Sequence, residues 1–191
     1  MAEVLRSISR LLLRGVDLVY HWHHKSEPVG PMLLVNASIH DGPDKRFEDG
    51  TLIRHGDAIG AIHFDNRVTA GMAGRSSRAA ALEFKRLLVE SLAALARKSV
   101  DDPDYSGFTA YCGITWIPPH GAKLGFETEV LPDGGRKRYL MKFFRVLLWV
   151  VAPSKETRKS ARLEPIAFWM TRKRLLELYL EQESPQAGAG M

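Results

Sequence analysis

Cysteine is almost missing from this 191-residue chain, where Cys112 stands alone. A single thiol excludes an internal disulfide and any metal centre built on several cysteines, and it fits a reducing compartment. Cys112 lies in the apolar run Ala110–Ile114 and reads as a buried structural thiol rather than a nucleophile. Long hydrophobic runs are missing as well. No stretch reaches the roughly 18–20 apolar residues that span a bilayer. The opening MAEVLRSISRLLLRG lacks the form of a secretory signal, because Glu3 precedes the arginines and Arg6, Arg10 and Arg14 interrupt the apolar part. A cytoplasmic location is expected, with peripheral contact to a membrane left open. There is no Gly-x-Ser-x-Gly elbow, Walker loop, dinucleotide fingerprint or His-Glu-x-x-His motif. Covalent serine catalysis is therefore unsupported, and no cofactor is implied. The cluster His21, His23, His24 invites a metal reading. On a helix, however, only His21 and His24 share a face, so no metal site is assigned.

What is present is an ordinary globular composition, 45% hydrophobic, enough to bury one sizeable core. A single domain over residues 1–183 is expected, followed by a disordered Gly/Ala-rich tail, 184–191. Charge is uneven. Between Arg136 and Arg174 twelve Lys/Arg face only Glu156 and Glu164, so this window carries +10 while the whole chain carries +5. Such asymmetry favours an anionic partner for the C-terminal third, or else a solvated basic face. Nucleic acid is not favoured, because Trp116, Trp149 and Trp169 read as core or site residues rather than a stacking platform.

Helical spacing of apolar residues predicts a first helix over Val4–His24, ended by Lys25–Pro28. Its row Arg6, Arg10, Arg14 would suit a membrane surface or a solvated face. Strands are expected over Met32–His40, Thr51–His55 and Ala58–Phe64, with Lys45–Glu48 extended and turns at Asp41–Asp44, Asp49-Gly50 and Gly56-Asp57. Together these predict a small antiparallel meander. A loop over Arg67–Gly74 leads to a long helix capped by Ser76 or Ser77 and ending near Lys98. Strands over Phe108–Trp116 and Lys123–Val130 are expected to pair. A helix over Arg136–Ala152, a basic loop, a short strand Pro165–Trp169 and a last helix capped by Thr171 complete the chain. The fold class is α+β, a mostly antiparallel sheet with packed helices.

The candidate site lies at the end of the Ala58–Phe64 strand. His63 and Asp65 are two apart and so share one side of an extended chain, while Ile62 and Phe64 face the other. They could act as a base and its orienting carboxylate, with Asn66 as a donor to an oxyanion or sugar hydroxyl. A strand end with His63 bonded to backbone and Asp65-Asn66 opening a turn is the plainer alternative. Thr115 could donate a hydroxyl to a ligand, and Asp57 serves its turn. On the Arg136–Ala152 helix, apolar on most sides, Arg138, Lys142 and Arg145 form one row. Buried cations need partners, so this row is expected to meet internal carboxylates such as Asp65, Glu127 or Glu129, or to clamp an anionic ligand.

In this order the motifs resemble the YkoP-like family of bacterial proteins and domains. The similarity runs from about Gly15 to Tyr179. It rests on Asp49-Gly50-Thr51 with Gly56-Asp57, on Ile62-His63-Phe64-Asp65-Asn66, on Tyr111-Cys112-Gly113-Ile114-Thr115, on Lys123-Leu124-Gly125-Phe126, and on Phe168–Leu176 with Tyr179. Some members are fused to polysaccharide deacetylase domains. The resemblance thus implies a link to envelope glycan or lipid-linked carbohydrate metabolism, but no deacetylase activity, since that family's metal triad is not found here. The expected function is a binding or catalytic module for an anionic carbohydrate- or lipid-linked envelope metabolite. The alternative is a non-catalytic module docking on a membrane surface or partner enzyme through the basic C-terminal third. Oligomeric state is not legible in the sequence.

Overall fold

The computed structural model describes residues 26–71, 77–115, 124–151 and 164–180. The expected Val4–His24 helix with its histidine cluster and arginine row, the basic loop over 152–163 and the C-terminal tail lie outside the described residues. Among the described residues, strand β1 (Glu27–Val29) pairs only with β2 (Leu33–Ile39) and forms one edge of the sheet. Pro28 is tolerated there because an edge strand needs donors on one side only. The same proline marked this segment as a helix end in the sequence, so the strand was not anticipated.

The chain then forms β3 (Lys45–Arg46), β4 (Leu52–Ile53) and β5 (Ala58–Phe64). Strand β5 returns antiparallel along the whole of β2, from Leu33↔Phe64 to Ile39↔Ala58. Strands β3 and β4 pair with each other as a separate two-stranded unit. The expected meander is therefore corrected to a β2–β5 pair with an inserted hairpin. The physical reason is that Phe47 and Ile53 bury on the face of the large sheet rather than extending its edge.

Strands β6 (Ala110–Thr115), β7 (Glu127–Val130) and β8 (Ile166–Thr171) complete a six-stranded sheet of order β1-β2-β5-β6-β8-β7. Every pair is antiparallel except β5 with β6. The expected pairing of Lys123–Val130 with Phe108–Trp116 is also corrected, because β8 lies between β6 and β7. Burial explains the order. Phe168 and Met170 need cover on both sides, whereas Glu127, Thr128 and Glu129 suit an edge.

The described helices are α1 (Asn66–Gly71), α2 (Ser77–Asp101), α3 (Pro103–Ser106), α4 (Gly135–Val151) and α5 (Arg172–Tyr179). Helix α1 falls where a loop was expected. Asp102 caps α3, its side chain accepting from the Asp104 amide with Pro103 at the first helical position. One face of the sheet packs under α2 and α5. Val35, Ile62, Tyr111, Phe168 and Met170 meet Leu88, Leu92, Leu95 and Leu175 there. Each such burial contributes about 1.5–3 kcal/mol. On the opposite face the hairpin packs Phe47 and Ile53 against Ile59 and Ala110, with Cys112 and Trp169 beside them.

Candidate functional site

Strand register decides what stands beside what on that second face. Asn36 pairs with Ala61, Ala61 with Cys112, Cys112 with Trp169, and Trp169 with Glu127. Cross-strand partners share a face, so these five residues form one row across five strands. The neighbouring row, Ser38, Ile59, Ala110 and Thr171, runs toward the hairpin. On the other side lie Leu34 with its partner His63, and Ile114, Ala167 and Glu129. His63 is therefore two residues along β5 from Ala61, on the same face. Ala61, His63, Cys112, Ile114, Ala167 and Trp169 are all half-buried, whereas Ile62, Tyr111, Phe168 and Met170 on the reverse side are buried. In the central row the small Ala61 and Cys112 lie between the larger Asn36 and Trp169, and Cys112 and Trp169 pack against the cluster of Phe47, Ile53, Ile59 and Ala110.

Two polar atoms in this row are buried without a protein partner, Asn36 Oδ1 and Trp169 Nε1. Asn36 is 7% exposed. Its Nδ2 donates to the Ala37 carbonyl at 3.2 Å, and because a carbonyl only accepts, this bond fixes which way the amide points. The Trp169 ring is held by His40, edge-on at 5.7 Å, by Phe47 at 6.0 Å and by the Lys45 ammonium at 5.7 Å. His40 Nε2 donates to the Pro43 carbonyl at 2.8 Å, so the Nε2–H tautomer is required. Burial pushes the Cys112 thiol up to about 11. The charge of Arg136 pulls it back and that of Asp41 adds to the rise.

The sequence-predicted residues are distributed differently. His63 stands on the face of Ala61 and Cys112. Asp65 lies just past β5, where its backbone N–H donates to the Met32 carbonyl at 2.9 Å. Its carboxylate accepts from the Arg67 amide at 2.8 Å and from the Arg67 guanidinium at 2.8–3.2 Å, which places it at the start of α1. Asn66 is the first residue of that helix. Thr115 follows Tyr111 and Gly113 on β6, so strand alternation places it on the reverse face from His63. Arg138, Lys142 and Arg145 are exposed on α4. A shallow cleft of about 390 Å³ is bounded by Asp133, Gly134, Lys137, Arg138 and Met141, and His63 is not among its lining residues.

The expectation of a buried cation row is thereby corrected. Phe144 is buried, with Leu140, Met141 and Phe143 half-buried, so α4 packs through one side and leaves the basic row outward. The carboxylates expected to neutralise that row are engaged elsewhere. Glu129 meets Lys45 at 2.5 Å, Glu127 accepts from the Glu48 amide at 2.8 Å, and Asp65 holds Arg67. On α4 it is Lys137 that forms ion pairs, with Asp133 at 2.9 Å and Glu164 at 3.2 Å.

Sequence reasoning missed Asn36 and Trp169 as members of one row. Only the register of four strands, including β8 from near the end of the chain, brings them together. Two quoted motifs turn out to be structural partners. The Asp49 carboxylate accepts from the Thr51 amide at 2.8 Å and from the Thr171 hydroxyl, and Lys173 reaches the Asp49 carbonyl at 3.2 Å. Asp57 accepts from the Arg54 amide at 2.8 Å, and Gly56 has φ 93°, so this turn needs both residues. Among the described residues no group of three potential ligands could hold a metal ion, and no helix is long and apolar enough to cross a membrane. A family model described as the YkoP domain matches residues 6–179. A search of curated proteins and a search of solved structures found no match.

Proposed function

The chain belongs to the YkoP domain family, and from that membership we propose a small-molecule module that binds or transforms an anionic carbohydrate- or lipid-linked envelope metabolite on the His63 face. One observation carries the reading. His63, a group able to move a proton, stands half-buried on β5 among the half-buried Ala61, Cys112, Ile114 and Ala167 of the same face. His63 would hold or move a proton at the ligand. Asp65, committed to Arg67 and α1, would position the strand end. Thermal-shift screening against sugar phosphates and isoprenoid-linked sugars tests this. A ligand should raise Tm in the wild type and lose its effect in His63→Ala. A panel with no His63-dependent shift would overturn the proposal.

A second reading is supported by the exposed stripe Arg138, Lys142 and Arg145, beside which Tyr139 is 68% exposed. An aromatic ring next to three outward cations suits docking on an anionic lipid surface. Co-sedimentation with phosphatidylglycerol vesicles that is lost in Lys142→Glu/Arg145→Glu but kept in His63→Ala would favour docking. Equal sedimentation of both variants would count against it.

A further inference from the structure

We propose that the free stretch of β2, residues 36–39, is a dimer interface that pairs antiparallel with the same stretch of a second copy across a two-fold axis at Ser38. Strand β1 covers β2 only opposite Leu33, Leu34 and Val35. Past Val35 the strand keeps β5 on one side and, among the described residues, has no partner on the other. The direction of its backbone groups follows from His40. The His40 N–H donates to the Asp57 carbonyl at 2.9 Å and its carbonyl accepts from the Gly56 amide at 2.9 Å, so both groups turn toward β5. Alternation along an antiparallel strand then turns the groups of Ser38 and Asn36 the same way, and those of Ala37 and Ile39 outward. The Ala37 carbonyl is met by Asn36 Nδ2 at 3.2 Å, a bond within the edge itself. Both outward residues are exposed, Ile39 at 59%. They lie on the reverse face from His63, so this interface is independent of the ligand reading above.

What this edge lacks argues for a partner. Sheet edges are ordinarily blunted by charge, proline or a bulge. Strand β1 carries Glu27 and Pro28, and β7 at the far edge carries Glu127 and Glu129. Residues 36–39, Asn-Ala-Ser-Ile, hold neither charge nor proline. The hairpin leans away from them, since Lys45 and the Glu48 amide reach Glu129 and Glu127 on β7. The stretch is also complementary to itself. With Ser38 on the axis, Ala37 stands opposite the second copy's Ile39, and the two exchange both of their backbone hydrogen bonds. Every outward N–H and carbonyl of the stretch then has a partner. Sliding by two residues one way would set Ile39 against Val35, which β1 already holds, and the other way would set Ala37 against Asp41, past the end of the strand. Ala37 and Ile39 share a face, so each Ile39 covers an alanine methyl of the other copy, and no like charges meet. The contact is short, which fits a monomer–dimer equilibrium rather than an obligate dimer.

Sedimentation equilibrium and site-specific crosslinking of the full chain test the proposal. The wild type should rise from 21.4 kDa toward twice that mass as concentration increases. Ile39→Pro should weaken association about tenfold and leave Tm nearly unchanged, because the N–H it removes points to solvent in the monomer. Ile39→Val should associate like the wild type. Register is read in a Cys112→Ala background. Opposed residues of a non-hydrogen-bonded pair lie about 4.5 Å apart at Cα, within disulfide reach. Ser38→Cys should therefore join two chains under mild oxidation, and Ile39→Cys, which faces Ala37 instead of itself, should not. This pair decides the matter if Ile39→Pro lowers Tm sharply. A wild type that stays at 21.4 kDa at every concentration overturns the proposal, the edge then being open to an extended segment of another protein. Equal crosslinking of both cysteine variants overturns it too. A dimer that survives Ile39→Pro and gives no Ser38→Cys crosslink lies elsewhere on the surface and does the same.

Discussion

Thr171 and Asp49, 122 residues apart, share a hydrogen bond in which the threonine hydroxyl donates to the carboxylate. The same hydroxyl oxygen accepts from the Arg174 amide at 3.0 Å and caps α5, so one side chain joins the β3–β4 hairpin to the end of β8 and to the last described helix. Thr171 is 2% exposed, and its loss would leave both the carboxylate and a helix amide without their partner. Thr171→Val should cost about 2 kcal/mol in urea unfolding, and Thr171→Ser much less.

The Asp49 carboxyl is held below its ordinary value. Burial pushes it up, but the donors from Thr171 and Thr51 and the nearby Lys173 charge outweigh that. A depressed carboxyl contributes stability that is fully present above its unfolded pKa near 3.9 and is lost as pH falls through the folded value. The stability difference between wild type and Asp49→Asn should therefore be constant from pH 7 to about pH 5. It should shrink below about pH 4, as read by urea midpoints across the acid range.

At two glycines the effect of a methyl group should differ in sign. A Cβ on Gly113 would stand 2.7 Å from the Ile62 carbonyl oxygen and closer still to the Phe168 ring. Gly113→Ala should cost about 3 kcal/mol, the upper end of the overpacking range. At Gly107, with φ −77°, a Cβ would meet nothing within 4 Å. Gly107→Ala should stabilise by about 0.5 kcal/mol through the unfolded chain. Thermal melts of the two variants check both signs.

Cys112 should be a slow nucleophile. With its thiol pushed up to about 11 by burial, alkylation by iodoacetamide at pH 8 should run about two orders of magnitude below a free cysteine. The rate should still be climbing past pH 10, and Arg136→Ala should slow it further by removing the charge that favours the thiolate. A rate that levels off near pH 8.5 would contradict this environment.

Stability should fall on the alkaline side. Burial raises Tyr179 to about 12, its hydroxyl donating to the Leu124 carbonyl at 2.9 Å, and raises Cys112 to about 11. An acid kept protonated by the fold contributes fully below its unfolded pKa and loses that contribution as pH climbs to the folded value. The windows are about pH 8.5 to 11 for Cys112 and about pH 10 to 12 for Tyr179. Cys112→Ala should flatten the first window and Tyr179→Phe the second, as read by urea midpoints.

Local chemistry was legible where neighbours in sequence carry it. The Gly56-Asp57 turn, the Thr171 cap and the period-two pattern of Ala58–Phe64 each need only a few adjacent residues. The β1 strand was hidden because Pro28 reads as a terminator unless the strand is known to lie at an edge. The α4 cations were misplaced because apolar content around a helix does not reveal which side is buried.

By itself the sequence determined an α+β chain with a mostly antiparallel sheet, membership of the YkoP family, and the side of β5 on which His63 stands. Those properties follow from alternation, caps and motifs, which act over a few residues. Tertiary structure alone decided that β8 slides between β6 and β7, that the hairpin packs on the second face against Ile59, Ala110, Cys112 and Trp169, and that Asn36, Ala61, Cys112 and Trp169 form one row. Register between strands distant in the chain is set by which side chains can be buried together. No stretch of sequence states that choice, and the candidate site is built from it.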